Sequence, residues 1–165
     1  MLRGKAGGRA RVTAGPKRPH LGVCPGPIIP LQVRQGSREF TVAFATKDTM
    51  VASDFVGIVS AKNDPQKMQK TGWTALKSEH VNAPVFTDFP MTMECRILRK
   101  IDESEEGYYI VAEIVNILVD EKYIGDDGKP DVAKMGLITY EPIHHGYVAL
   151  GERVGNAFSD GKILK

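Results

Sequence analysis

Residues 91 to 119 contain two long strand-like segments joined by an acidic turn at residues 102 to 107, and this hairpin constrains the fold more than any other feature. In the first segment, residues 91 to 101, Met91, Met93, Cys95 and Ile97 share one face, and Glu94, Arg96 and Lys100 share the other. The second, residues 108 to 119, is apolar on nearly both faces apart from Glu113 and Asn116. A strand apolar on both sides must be covered on both sides. The requirement predicts a closed or partly closed barrel, with a helix or a second subunit on its outside.

Other elements arrange themselves round this hairpin. Phe40, Val42 and Phe44 alternate with Thr41, Ala43 and Ala45, which predicts one strand with a single strongly apolar face. Asp48 or Thr49 then caps a helix in which Met50, Val51, Phe55, Ile58 and Val59 recur at helical spacing and bury one side against a sheet. A second short helix starts at Asp64, with Pro65 in its first turn, and stops before Gly72. Further on, residues 125 to 128 read as a turn, 132 to 135 as a helical turn and 137 to 140 as a last short strand. Residues 151 to 158 read as a terminal helix.

The start of the chain is different in kind. Residues 1 to 38 carry eight of the 22 Lys and Arg residues and no Asp or Glu, leaving 14 basic residues against all 20 acidic ones in the remainder. Residues 1 to 37 also hold seven glycines and five of the ten prolines, and they show neither period before Ile28. We therefore divide the chain into an irregular basic segment, 1 to 37, and one folded domain, 38 to 165. Three readings of the first segment compete: a nucleic-acid arm, an organellar transit peptide, or an altered or truncated start that is not a designed part of the fold. Pro16, Pro19, Pro25, Pro27 and Pro30 oppose the helix that a transit peptide needs. No aromatic residue is interleaved with the charges to stack on bases, so nucleic acid is not an expected partner. The abrupt change of composition at Arg38 to Phe40 favours the third reading.

At 165 residues and 42% hydrophobic, the chain is long enough for one domain with a real core. It has no apolar run of about 18 residues and no apolar secretory region at its start, so neither a membrane span nor secretion is expected. Cys24 and Cys95 form neither a CxxC pair nor a metal-ligand set; both read as thiols of a reducing, cytoplasmic compartment.

Several motifs, taken in order, carry a resemblance. Arg38-Glu39-Phe40-Thr41-Val42 is followed by Asp54-Phe55-Val56-Gly57-Ile58-Val59-Ser60, then by Lys67 five residues before Gly72-Trp73-Thr74. Next come Ala83-Pro84, Met93-Glu94-Cys95-Arg96 and Ala112-Glu113-Ile114-Val115, and finally Tyr140 and Tyr147 with Leu150-Gly151-Glu152. This series resembles the flavin reductase-like, FMN-binding split-barrel family over roughly three quarters of the chain. The resemblance implies a mainly β fold with flanking helices, an FMN-binding split β-barrel whose first strands are missing or altered. The family's Trp-Ala-Gly-like element and its Arg-Pro-x-Arg-Tyr run have no counterpart here. It further implies a homodimer that binds FMN near the subunit interface. Electrons would come from NADH or NADPH, or from a redox protein partner, as in flavin reductase or flavoredoxin. The alternative is a non-catalytic truncated split-barrel dimer that has lost flavin binding.

In such an enzyme the isoalloxazine accepts the hydride itself, so no catalytic side chain is assigned. Ser60, Lys62 and Lys67 are the candidate phosphate contacts through charge and N–H donors, against the simpler reading of solvated lysines. Trp73 either borders the flavin or nicotinamide or merely packs, and packing is favoured. Glu94 and Glu113 suggest a carboxylate pair, but structural pairing with Arg96, Lys100 or backbone donors is preferred. The adjacent His144 and His145 have no suitably spaced third ligand, so no metal is assigned. Cys95 falls on an apolar strand face and reads as a small buried hydrophobe.

Overall fold

The long hairpin is the centre of the fold. The computed structural model describes residues 9–12, 38–104 and 107–165, with eight strands and two α-helices among them. In chain order these are β1 (Arg9–Val12), β2 (Glu39–Ala43), α1 (Met50–Ile58), α2 (Lys67–Lys70), β3 (Ala75–Lys77), β4 (Pro84–Phe86), β5 (Met91–Ser104), β6 (Gly107–Asp120), β7 (Ile138–Glu141) and β8 (Gly146–Ala149). Strands β5 and β6 pair antiparallel from Met91 opposite Val119 to Ser104 opposite Gly107. Three register shifts interrupt the ladder, and the first lies between Glu94 and Cys95. The extra residue there is Val115 of β6; Glu94 and Cys95 stay on opposite faces of β5, and both are buried because both faces are covered at that point.

Strand β2 pairs with the outer edge of β5, setting Phe40 opposite Cys95 and Val42 opposite Met93. Strand β1 pairs with the outer edge of β6, giving a sheet of order β1-β6-β5-β2. Phe40, Val42 and Cys95 form one buried cluster, flanked by Met93, Ile97, Ile110, Ala112 and Ile114. A second cluster is built on Val119, Met135 and Leu137. The chain reaches Met135 through a short 3₁₀ helix (Val132–Met135), which Gly136 ends in the left-handed conformation that a glycine adopts without penalty. Ile138 N–H then donates to Ala45 O (3.1 Å), and Thr46 bridges Leu137, so the β7–β8 hairpin docks where β2 runs into α1.

The mainly β character with flanking helices is as expected, but closure of the barrel is not. Among the described residues, β3–β4 and β7–β8 form two-stranded sheets of their own, and β1 and β2 are the edges of the central sheet. Strand β6 is accordingly covered only in part: Asn116 and Val119 are buried, whereas residues 110–115, 117 and 118 are half-buried. Of the segment expected to be irregular, Arg9–Val12 is a strand, because ladder hydrogen bonds to β6 come from the backbone and need no side-chain period. The rest of that segment, with Cys24 and the apolar group 28–33, lies outside the described residues.

Three further expectations are corrected. Helix α1 exists, but it buries Ser53 and Val56 and leaves Val51 and Ile58, two members of the supposed core stripe, 72% and 75% exposed. The second helix is a single turn, since Asp64 Oδ1 accepts from Gln66 N (3.1 Å) and closes a turn before it. Residues 151–156 are not helical. Two glycines disfavour a helix there, and the side chains of Arg153 and Asp160 bind the Asn156 amide groups in a local knot. No helix among the described residues is long and apolar enough to cross a membrane.

Candidate functional site

Helix α1 ends at Ile58, where its last carbonyls would carry the negative end of the helix dipole. Lys67 reaches back to that end. Its Nζ donates to Val56 O (3.1 Å) and Val59 O (2.8 Å), and the residue is only 6% exposed. The ammonium satisfies carbonyls that would otherwise repel an anion. Between helix and lysine, Ser60 O accepts from Asn63 N and Asp64 N (both 3.0 Å), and Ser60 Oγ accepts from Lys62 N (3.2 Å). Asp64 is engaged by Lys70 Nζ at 2.5 Å, and that bond holds its carboxyl below the usual range. Ser60 and Lys62 are exposed.

The structure therefore brings Ser60, Lys62 and Lys67 into one turn, with Lys67 inside it and the other two at its surface. Trp73 belongs to a different group. Its ring lies 4.8 Å from Phe89 in an edge contact and 5.7 Å from Phe86, an aromatic cluster closed by Thr74 N donating to Asp88 Oδ2 (2.8 Å). The packing reading of Trp73 describes this geometry. A groove of about 920 Å³ opens elsewhere, between residues 125–133 and 150–153, and none of the four candidates lines it.

Glu94, expected to pair structurally with Arg96, Lys100 or backbone donors, takes other side chains as partners and is the most deeply buried charged group described, at 1% exposure. Ser78 Oγ donates to its Oε1, Asn116 Nδ2 donates to its Oε2 at 2.5 Å, and His80 Nδ1 stands 3.6 Å from Oε2. Ser78 Oγ in turn accepts from His80 N and Val81 N, tying the loop before β4 to the central sheet. The signal was available in the hairpin register, which sets Glu94 opposite Asn116 and Arg96 opposite Glu113. Arg96 contacts Glu113 at 3.9 Å and Glu39 at 3.2 Å, so the two strand glutamates serve separate partners.

The β7–β8 hairpin brings together Tyr140 and Tyr147, which the sequence marks as motif residues without giving them a role. Tyr147 OH donates to Asp54 Oδ1 of α1 at 2.5 Å, and this bond, with burial, pushes the phenol up to about 12. Tyr140 OH meets His145 Nδ1 at 2.6 Å, and its ring lies 6.0 Å from that of Tyr147. His144 pairs with Glu141 at 3.1 Å, so the adjacent histidines take different partners.

No protein-family model matches the chain, and no curated protein matches it. Solved structures do. Flavoredoxin of Desulfovibrio vulgaris (Miyazaki F) is 31% identical, with a TM-score of 0.71 over 77% of this chain and 67% of its own. Flavoredoxin from Methanosarcina acetivorans is 23% identical, with a TM-score of 0.70 over 95% of this chain and 81% of its own. Nitrilotriacetate monooxygenase component B from Bacillus cereus is 20% identical, with a TM-score of 0.62 over 74% of this chain and 61% of its own. The last two establish likeness of fold; the first adds likeness of sequence.

Proposed function

Because the chain belongs to the flavin reductase-like, flavoredoxin-type split-barrel family, we propose that it is an FMN-dependent oxidoreductase that takes electrons from NADH or NADPH, or from a protein donor. The observation that carries this reading is the likeness to a flavoredoxin, in sequence as well as fold, across three quarters of the chain. The donor set at the end of α1 fits a phosphate. Lys67 removes the helix's negative pole from the turn, and Lys70 engages the one carboxylate within it. The Ser60 hydroxyl and the Lys62 ammonium are then left at the surface to meet a dianion. Trp73 acts through its cluster with Phe86 and Phe89, holding the loop after α2 in place.

Bound FMN would supply the redox chemistry, and the protein would supply position and shelter from water. The half-covered β6 and the exposed side of α1 favour a homodimer that completes the shelter. Cys95, buried as a reduced thiol, agrees with a cytoplasmic setting. A second reading, a dimer without flavin, is favoured by the central sheet, whose edges β1 and β2 pair with no further strand among the described residues. Gel filtration after incubation with excess FMN separates the two. Flavin absorbance travelling with the protein, together with oxidation of added NADH or NADPH, is the expected result. A colourless, inactive dimer would establish the second reading.

A further inference from the structure

Tyr140 and Tyr147 stand directly opposite each other in the β7–β8 ladder, with ring centroids 6.0 Å apart in an edge contact. Each phenol has its own proton acceptor. Tyr147 OH donates to Asp54 Oδ1 of α1 at 2.5 Å. Tyr140 OH lies 2.6 Å from His145 Nδ1, to which it donates when the imidazole carries its proton on Nε2. The bond to Asp54 alone tethers the hairpin to α1. The bond to His145 adds nothing to that tether, because both of its partners belong to the same hairpin. His145 is moreover held at a left-handed φ of 54°, an unfavourable backbone conformation outside glycine.

This arrangement is what a phenol needs in order to give up one electron. Losing an electron turns a phenol into a strong acid, so the step is fast only where a base already holds the hydroxyl proton. Both rings meet that condition, and their edge contact lets an electron pass from one to the other. They also lead outward. Tyr147 is half-buried, whereas Tyr140 is 38% exposed and His145 is exposed. Imidazole as a class is a stronger base than a carboxylate, which favours the oxidised state on the outer ring.

We propose that Tyr147 and Tyr140 form a one-electron relay that carries an oxidising equivalent from the half-buried side of the hairpin to the protein surface. An outer-sphere one-electron oxidant takes an electron from Tyr147, and the phenol proton passes to Asp54 Oδ1, leaving a neutral phenoxyl radical. An electron then moves from Tyr140 to Tyr147, the proton on Asp54 returns to the Tyr147 oxygen, and the Tyr140 proton passes to His145 Nδ1. The net change is one electron given to the oxidant and a neutral radical on Tyr140 beside an imidazolium. The relay needs no flavin and goes beyond the reading above.

It is tested on the full chain without FMN, with photogenerated tris(bipyridine)ruthenium(III) as the oxidant. The radical is followed by transient absorbance and electron paramagnetic resonance. In the unaltered chain it should settle on Tyr140; in Tyr140→Phe it should lodge on Tyr147 and vanish when Tyr147→Phe is added. His145→Gly relieves the left-handed φ while removing the base, and should slow radical formation on Tyr140 on the order of a hundredfold. Added imidazole should restore part of that rate, which a purely structural role for His145 would not allow. An unchanged rate in His145→Gly, or a Tyr140→Phe chain with no radical on Tyr147, would overturn the relay. FMN binding is measured separately, and its failure bears on the flavin reading alone.

Discussion

Glu94 illustrates how one residue can hold the sheet and the loops to a common register. A carboxylate taken out of water survives only with donors on both oxygens, and Ser78 and Asn116 provide them from two other segments. Removing it strands both donors in the interior. We expect Glu94→Ala to lower stability by about 3 kcal/mol, and Glu94→Gln by less because one oxygen remains to accept; urea unfolding of the two variants checks the order. Tyr147 makes a different kind of test. Its phenol is raised from 10.0 to about 12 by the bond to Asp54, so the stabilisation is complete below pH 10 and is lost as the pH rises from 10 toward 12. Tyr147→Phe should therefore be less stable than the unaltered chain by about 1 kcal/mol at neutral pH. The gap should narrow above pH 10, and the spectrophotometric titration of the unaltered chain should show a late phenol that the variant lacks.

At the scale of elements, the turn after α1 depends on Lys67 as a cap rather than as a ligand. Lys67→Met keeps the length of the side chain but gives up both bonds to the helix end, and a loss of about 2 kcal/mol is expected, measured as a lower thermal midpoint. The position of this lysine was legible from its spacing to Gly72; its role was not, because nothing in a linear sequence shows that Val56 O and Val59 O lie within its reach. The hairpin β5–β6 was legible almost whole, since alternating apolar residues on both sides of an acidic turn leave few other solutions. The strand β8 was missed because four residues after a Pro-Ile-His-His turn carry too short a period to read. Helix α1 was found but turned the wrong way. Its apolar spacing marks a stripe that needs cover, and the sequence does not say whether a sheet of the same chain or a second chain provides it. The face of Glu94 was read correctly but its burial was not, because a linear sequence does not show that the loop carrying Ser78 and His80 covers that face.

The described residues form a four-stranded sheet with two small hairpins and two helices beside it, and among them the apolar surface is incompletely used. The half-covered β6 is the surface that the proposed pairing of two chains around a flavin would cover. The four residues singled out for that flavin do not form one wall: three meet at the end of α1, and Trp73 stands with Phe86 and Phe89. The proposed flavin site thus rests on the turn at residues 60–67 receiving the phosphate. The most direct measurement is the quenching of FMN fluorescence on titration with the purified chain, with Lys62→Ala alongside. Saturation at one FMN per chain, weakened roughly tenfold in the variant by loss of a charge-assisted contact, is the predicted result. Binding that Lys62→Ala leaves unchanged, or no saturable binding at all, would contradict it.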